Sequence, residues 1–129
     1  MVQMQAQSGH IKFDERVKYG DLLPIYRDIF ERFLVETDQI PEEEPEYTEV
    51  LLEQNLIDLR NNRKPEGYNR SGCMRMIFPI SEDVEFYLYG MGKNTEVPRV
   101  TELISKLLKK EGLKHSVEWD NMLLYQNKK

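Results

Sequence analysis

Leu22, Leu23, Tyr26, Ile29, Phe30, Phe33 and Leu34 recur at steps of one, three and four residues, and a stripe with that spacing is buried only along one side of an α-helix. Asp28, Glu31 and Arg32 fall on the other side. Asp21 stands where a helix cap would accept backbone N–H bonds, and Pro24 falls in the first turn, where a missing N–H costs nothing. A second stripe of this kind, Val100, Leu103, Ile104, Leu107 and Leu108, has Thr95 as its expected cap and Pro98 in its first turn. It closes on Lys109, Lys110 and a left-handed stop at Gly112. Any fold of this chain has to bury those two stripes against something.

Segments of period two supply it. Ile11, Phe13, Val17 and Tyr19 alternate roughly with charged residues, which predicts a half-buried strand with a bulge at residues 14–16. In residues 73–80, Met74, Met76, Phe78 and Ile80 form one apolar face, with Pro79 marking an edge or a strand end. Ser81, Glu82 and Asp83 suit a hairpin turn into a strand with Val84, Phe86 and Leu88 on one face and Glu85, Tyr87 and Tyr89 on the other. His115, Val117 and Trp119 alternate again, and residues 114–126 form either one bulged strand or a last hairpin. Between the first helix and the hairpin, residues 46–62 read as a further helix. Tyr47, Val50, Leu51 and Ile57 lie near one face of it, and Leu52, Leu56 and Leu59 widen that face. Residues 63–72 read as a loop.

With 129 residues, one domain is expected, residues 10–129, behind a flexible tail at residues 1–9. The order βα(α)ββαβ predicts an α+β fold, the ferredoxin-like split βαβ arrangement with its second helix inserted. The alternative is a helical hairpin beside a C-terminal ββαβ(β) unit.

The net charge of −5 argues against a surface that is basic throughout. It averages two unlike parts: residues 1–59 hold 5 basic and 14 acidic side chains, residues 60–129 hold 13 and 9. Seven carboxylates crowd residues 36–49 with no Lys or Arg, while Arg60, Arg63, Lys64, Arg70 and Arg75 follow with only Glu66 among them. A single cysteine, Cys73, offers no internal disulfide, the start lacks the basic and apolar runs of a signal peptide, and no apolar run approaches the length of a bilayer span. A cytoplasmic protein with no membrane partner is expected.

Chemistry is sparse. Gly90, Gly92 and Lys93 lie between a strand and a helix, but a phosphate-cradling loop needs a glycine where Tyr87 stands and a hydroxyl where Asn94 stands. Two histidines and one cysteine provide no metal-ligand spacing, so neither a metal nor a cofactor is expected. His115, Glu118 and Asp120 do not converge on a strand, because His115 points away from the other two.

The expected function is therefore non-enzymatic protein–protein interaction through the acidic segment Glu42, Glu43, Glu44 and Glu46, which would steer a basic partner surface. Small acidic inhibitors, immunity proteins of nuclease toxins and adaptors are of this kind, and homodimerisation is a further option. One alternative is single-stranded nucleic-acid binding, with bases stacked on Tyr87 and Tyr89 and phosphates held by Arg63, Lys64, Arg70 and Arg75. The other is a small-molecule binder or enzyme with a pocket between the sheet and the inserted helix.

Overall fold

The computed structural model describes residues 4–39, 45–70 and 74–120 of the chain. In order, its elements are β1 (Ala6–Phe13), a 3-10 turn (Tyr19–Leu22), α1 (Leu23–Glu36), α2 (Pro45–Arg60), β2 (Gly67–Tyr68), β3 (Met74–Ile77), β4 (Glu85–Asn94), α3 (Glu96–Lys110) and β5 (His115–Trp119). The three helices and the five-stranded antiparallel sheet, ordered β2-β3-β4-β1-β5, make a small single-domain α+β protein.

β1 is an inner strand. Its Ile11 pairs with Phe86 of β4 on one side and with Val117 of β5 on the other. A sheet built of C-terminal strands alone is therefore not the arrangement found. The strand also begins at Ala6, inside the segment expected to be a tail, and small side chains are the reason. Ala6 is fully buried, and Gly9 lies so close beneath α3 that a Cβ there would run into Thr101 Oγ1 and the Trp119 ring. Val17 and Tyr19, expected in this strand, have left it: the Val17 N–H donates to the Asp14 carbonyl at 2.9 Å, closing a turn where the bulge was expected.

Other boundaries move for similar local reasons. β3 stops at Ile77, before Pro79. β4 runs on through Gly90 and Gly92 to Asn94, with its register against β1 shifting between Ala6 and Ser8. The α3 cap is Asn94, whose Oδ1 accepts the Val97 N–H at 2.9 Å; Thr95 makes no side-chain cap bond. Gly112 is left-handed at φ 82°, as a helix stop requires.

α3 lies across β1 and β4 with Val97, Val100, Ile104 and Leu108 buried, and α1 packs on both α3 and α2. Six residues of α1 are buried, each contributing about 1.5–3 kcal/mol of apolar transfer. Its aromatics reach the β2–β3 edge of the sheet, with Tyr26 at 6.2 Å from Phe78 and Phe30 and Phe33 at 5.9 and 5.8 Å from Tyr68, ring centre to ring centre.

β2, within the expected loop, is an edge strand that borrows its outer partner from α2. The fully buried Asn55 amide donates to the Gly67 carbonyl at 2.9 Å, and its Oδ1 accepts the Gly67 N–H at 3.1 Å. Gly67 is left-handed at φ 83°, and a Cβ there would strike the Met76 carbonyl. Asn55→Leu keeps the number of side-chain heavy atoms but orphans both Gly67 groups, so urea denaturation should show a loss of about 2–4 kcal/mol. Gly9→Ala should cost about 1–3 kcal/mol by overpacking against α3; wild-type stability in either variant would contradict the packing described.

Candidate functional site

Alternation along β4 turns Phe86 and Leu88 toward the helices and Glu85, Tyr87 and Tyr89 to the opposite face of the sheet. On that face Arg75 of β3 stands opposite Tyr89, Ile77 opposite Tyr87, and Ser8, His10 and Lys12 of β1 follow in the next strand. His10, expected beside a mobile tail, is only 3% exposed. Its ring stacks on Tyr87 with centroids 4.8 Å apart and planes 25° apart. Its Nε2 is 3.1 Å from Ser8 Oγ, and its Nδ1 lies 3.6 Å from Glu85 Oε2 without a hydrogen bond.

This face is less open than base stacking needs. Tyr87 is 9% exposed and already holds the imidazole, while the Tyr89 hydroxyl accepts a bond from Gln7 Nε2 at 3.1 Å. The lysines have carboxylates beside them, Lys12 with Glu118 at 3.4 Å and Lys93 with Asp120 at 3.9 Å, and Arg75 Nη1 donates to Asn69 Oδ1 at 3.3 Å. Of the four expected phosphate-binding cations, only Arg75 lies in the sheet. Arg63 is paired with Asp58 of α2 at 3.1 Å, Lys64 donates to the Phe78 carbonyl at 3.1 Å, and the Arg70 guanidinium lies 4.2 Å over the Tyr47 ring of α2.

The expected divergence of His115, Glu118 and Asp120 has a clear form. Asp120 Oδ1 accepts the N–H groups of Gln7 and Ser8 at 2.7 and 3.0 Å, fastening the irregular start of β1. His115 turns toward the helices, where Nδ1–H donates to the Leu113 carbonyl at 2.8 Å and Nε2 accepts the Ser105 hydroxyl at 2.6 Å. That is the nucleophile–base–orienter order of hydrolases, but Ser105 is 5% exposed and the pair ties α3 to β5. Among the described residues no three His, Cys, Asp or Glu side chains converge as metal ligands. A cleft of about 480 Å³ opens between α1 and α3, lined by Asp28, Glu31, Arg32, Val35 and Leu107, away from the position expected for a pocket under the inserted helix.

The surface that sequence reading missed is the outer side of α2. Leu51, Leu52, Leu56 and Leu59 are buried with Asn55, whereas Tyr47, Val50 and Ile57 are 45%, 60% and 38% exposed. The expected single wide stripe is thus two arcs on opposite sides of the helix, and only one of them packs. Glu46, Glu49 and Glu53 flank the outer arc, and all three are exposed. Of the expected acidic segment, Glu46 opens α2, while Glu42, Glu43 and Glu44 lie outside the described residues, as do Cys73 and the residues after Asp120.

On the sheet face, burial is the main force holding the His10 pKa down to about 4, with Lys12 adding to the effect and Glu118 and Asp120 opposing it. Burial likewise raises Glu85. An unfolded chain binds a proton at His10 below about pH 6.5, and the native one only below about 4, so this histidine's contribution is complete above pH 6.5 and shrinks as the pH falls toward 4. Wild type should lose stability across that window more steeply than His10→Asn, measured by denaturant titration at successive pH values. Equal slopes would mean that His10 is not held neutral by the fold.

No protein-family model, curated protein or solved structure matches the chain.

Proposed function

We propose that this chain is a non-enzymatic protein-interaction domain whose docking surface is the outer side of α2 together with the acidic segment leading into it. The observation that carries this reading is the exposed arc Tyr47, Val50 and Ile57, opposite the side of the same helix that the core buries. A helix lying on a domain normally keeps its outer side polar, and apolar groups rimmed by charge characterise interaction sites. α3 provides the contrast within the molecule, since its outer positions Arg99, Glu102, Lys106 and Lys109 are polar. Carboxylates at Glu46, Glu49 and Glu53 give the rim one sign, which favours fast encounter with a basic surface. The ferredoxin-like arrangement belongs to the same reading: β3, β4, β1 and β5 follow the split βαβ order, and β2 extends one edge. A reducing, cytoplasmic setting suits the lone cysteine.

Two sets of replacements test the surface against a partner captured by cross-linking and identified by its attachment to α2. Glu42, Glu43, Glu44 and Glu46 changed together to Gln should slow association and flatten its salt dependence. Val50→Lys with Ile57→Lys should accelerate dissociation about tenfold or more. A partner that binds both variants as it binds wild type would refute the assignment. The nucleic-acid reading retains one favourable observation, Arg75 opposite Tyr89. It requires Tyr89→Ala to cost about 1–3 kcal/mol in single-strand affinity, and absence of any gel shift at low salt removes it.

A further inference from the structure

We infer that the outer side of α2 pairs with the same surface of a second copy of the chain, the two helices running antiparallel about a two-fold axis. The inference rests on the reading of α2 as the docking surface and names a second copy as its occupant, whose exposed Arg60 supplies the cation that meets the acidic rim. Tyr47, Val50, Gln54 and Ile57 are all exposed and are spaced three, four and three residues apart. That spacing is the same read in either direction. In an antiparallel pair Tyr47 meets the second copy's Ile57, and Val50 meets the second copy's Gln54, so one seam serves both chains. A polar residue within such a seam is a known way of setting register, and Gln54 occupies that position. Arg70, stacked over the Tyr47 ring at 4.2 Å, supports the side chain at the end of the seam.

Charge selects the direction. Glu46, Glu53 and Arg60 are seven residues apart and lie along one flank of the seam, the positions through which paired helices choose partners. A parallel pair sets this flank against the opposite flank of the second copy, which brings Glu53 toward the second copy's Asp58 and gives neither Glu46 nor Glu53 a cation. The antiparallel pair sets Glu46 beside the second copy's Arg60 twice and leaves only Glu53 facing its own counterpart. Glu53 is already compensated within the chain, since Arg27 Nη2 is 3.2 Å from it and Nη1 is 3.6 Å from Glu49. Isologous two-fold contacts require this self-complementarity of one patch.

Size sets the strength. A 16-residue helix is about 24 Å long and about 10 Å wide, so each copy contributes a few hundred Å², below the roughly 800 Å² per partner of a stable complex. The dimer is therefore weak, dependent on concentration and sensitive to salt.

Sedimentation velocity on the full chain tests this between about 10 µM and 1 mM, a range suited to a small interface, at low and at high salt. The mass should climb toward that of a dimer with concentration, and salt should lower it. Val50→Glu should weaken pairing about tenfold or more. Glu46→Lys and Arg60→Glu should each weaken it, and the two combined in one chain should restore it, because both charges of every cross-pair are then exchanged. Far-UV circular dichroism of each variant verifies that α2 is retained. A monomer throughout the range, or a double exchange that stays as weak as the single ones, overturns the inference. If the monomer's α2 variants still lose a captured partner, the docking surface stands and only self-pairing falls; if they bind it unchanged, both fall.

Discussion

Every layer of this structure depends on β1 being hydrogen-bonded on both edges. Strands β4 and β5 both run antiparallel to it, so they are parallel to each other and require a crossover, which α3 provides. The crossover helix must then lie close over β1. Gly9 permits that approach, because α3 places Thr101 and β5 places Trp119 where any side chain at Gly9 would stand. Ala6 and Ser8 beside it are both buried, and Asp120 fastens the strand's start through two backbone N–H groups. Both neighbours of β1 come from the second half of the sequence, so its pairing is long-range on either edge.

A second constraint orients α2. Asn55 completes the hydrogen bonding of edge strand β2 at Gly67, and an edge strand left bare is a site of unwanted pairing. Because that amide must point inward, Leu51, Leu52, Leu56 and Leu59 turn in with it, and Tyr47, Val50 and Ile57 are turned out. The apolar outer arc is therefore a consequence of a buried polar contact. The helix is fixed at its far end as well, where Asn62 Oδ1 accepts the Gly20 N–H at 3.0 Å, and along its flank by the ion pairs of Arg27. Surface ion pairs of this kind add little stability; here their effect is on which charges remain uncompensated along α2.

The sheet face away from the helices has a different character. It holds a histidine kept neutral by burial, an aromatic ring already stacked, and lysines each beside a carboxylate. Such a face is largely satisfied within its own chain, whereas the outer side of α2 has apolar groups facing water. Free energy remains to be gained by covering the second surface, and that difference ranks the two as candidate interaction sites.

Residue pattern alone determined the two long helical stripes, the α+β class, the hairpin strands around residues 81–83, the stop at Gly112 and the separation of acidic from basic segments. These are legible because burial on one side of a regular element imposes a period, and periods survive in a linear string. Tertiary structure decided what has no period. The start of β1 at Ala6 depends on small side chains beneath a helix some 90 residues later in the chain. The cap at Asn94 in place of Thr95 depends on how β4 ends, and the meeting of Ser105 with His115 on how α3 and β5 lie together. The outer arc of α2 was hidden for the same reason: its seven apolar residues read as one broad stripe until Asn55, a residue that reads as polar surface, was seen to point into the core. Sequence records which residues avoid water, and only packing determines which of them succeed.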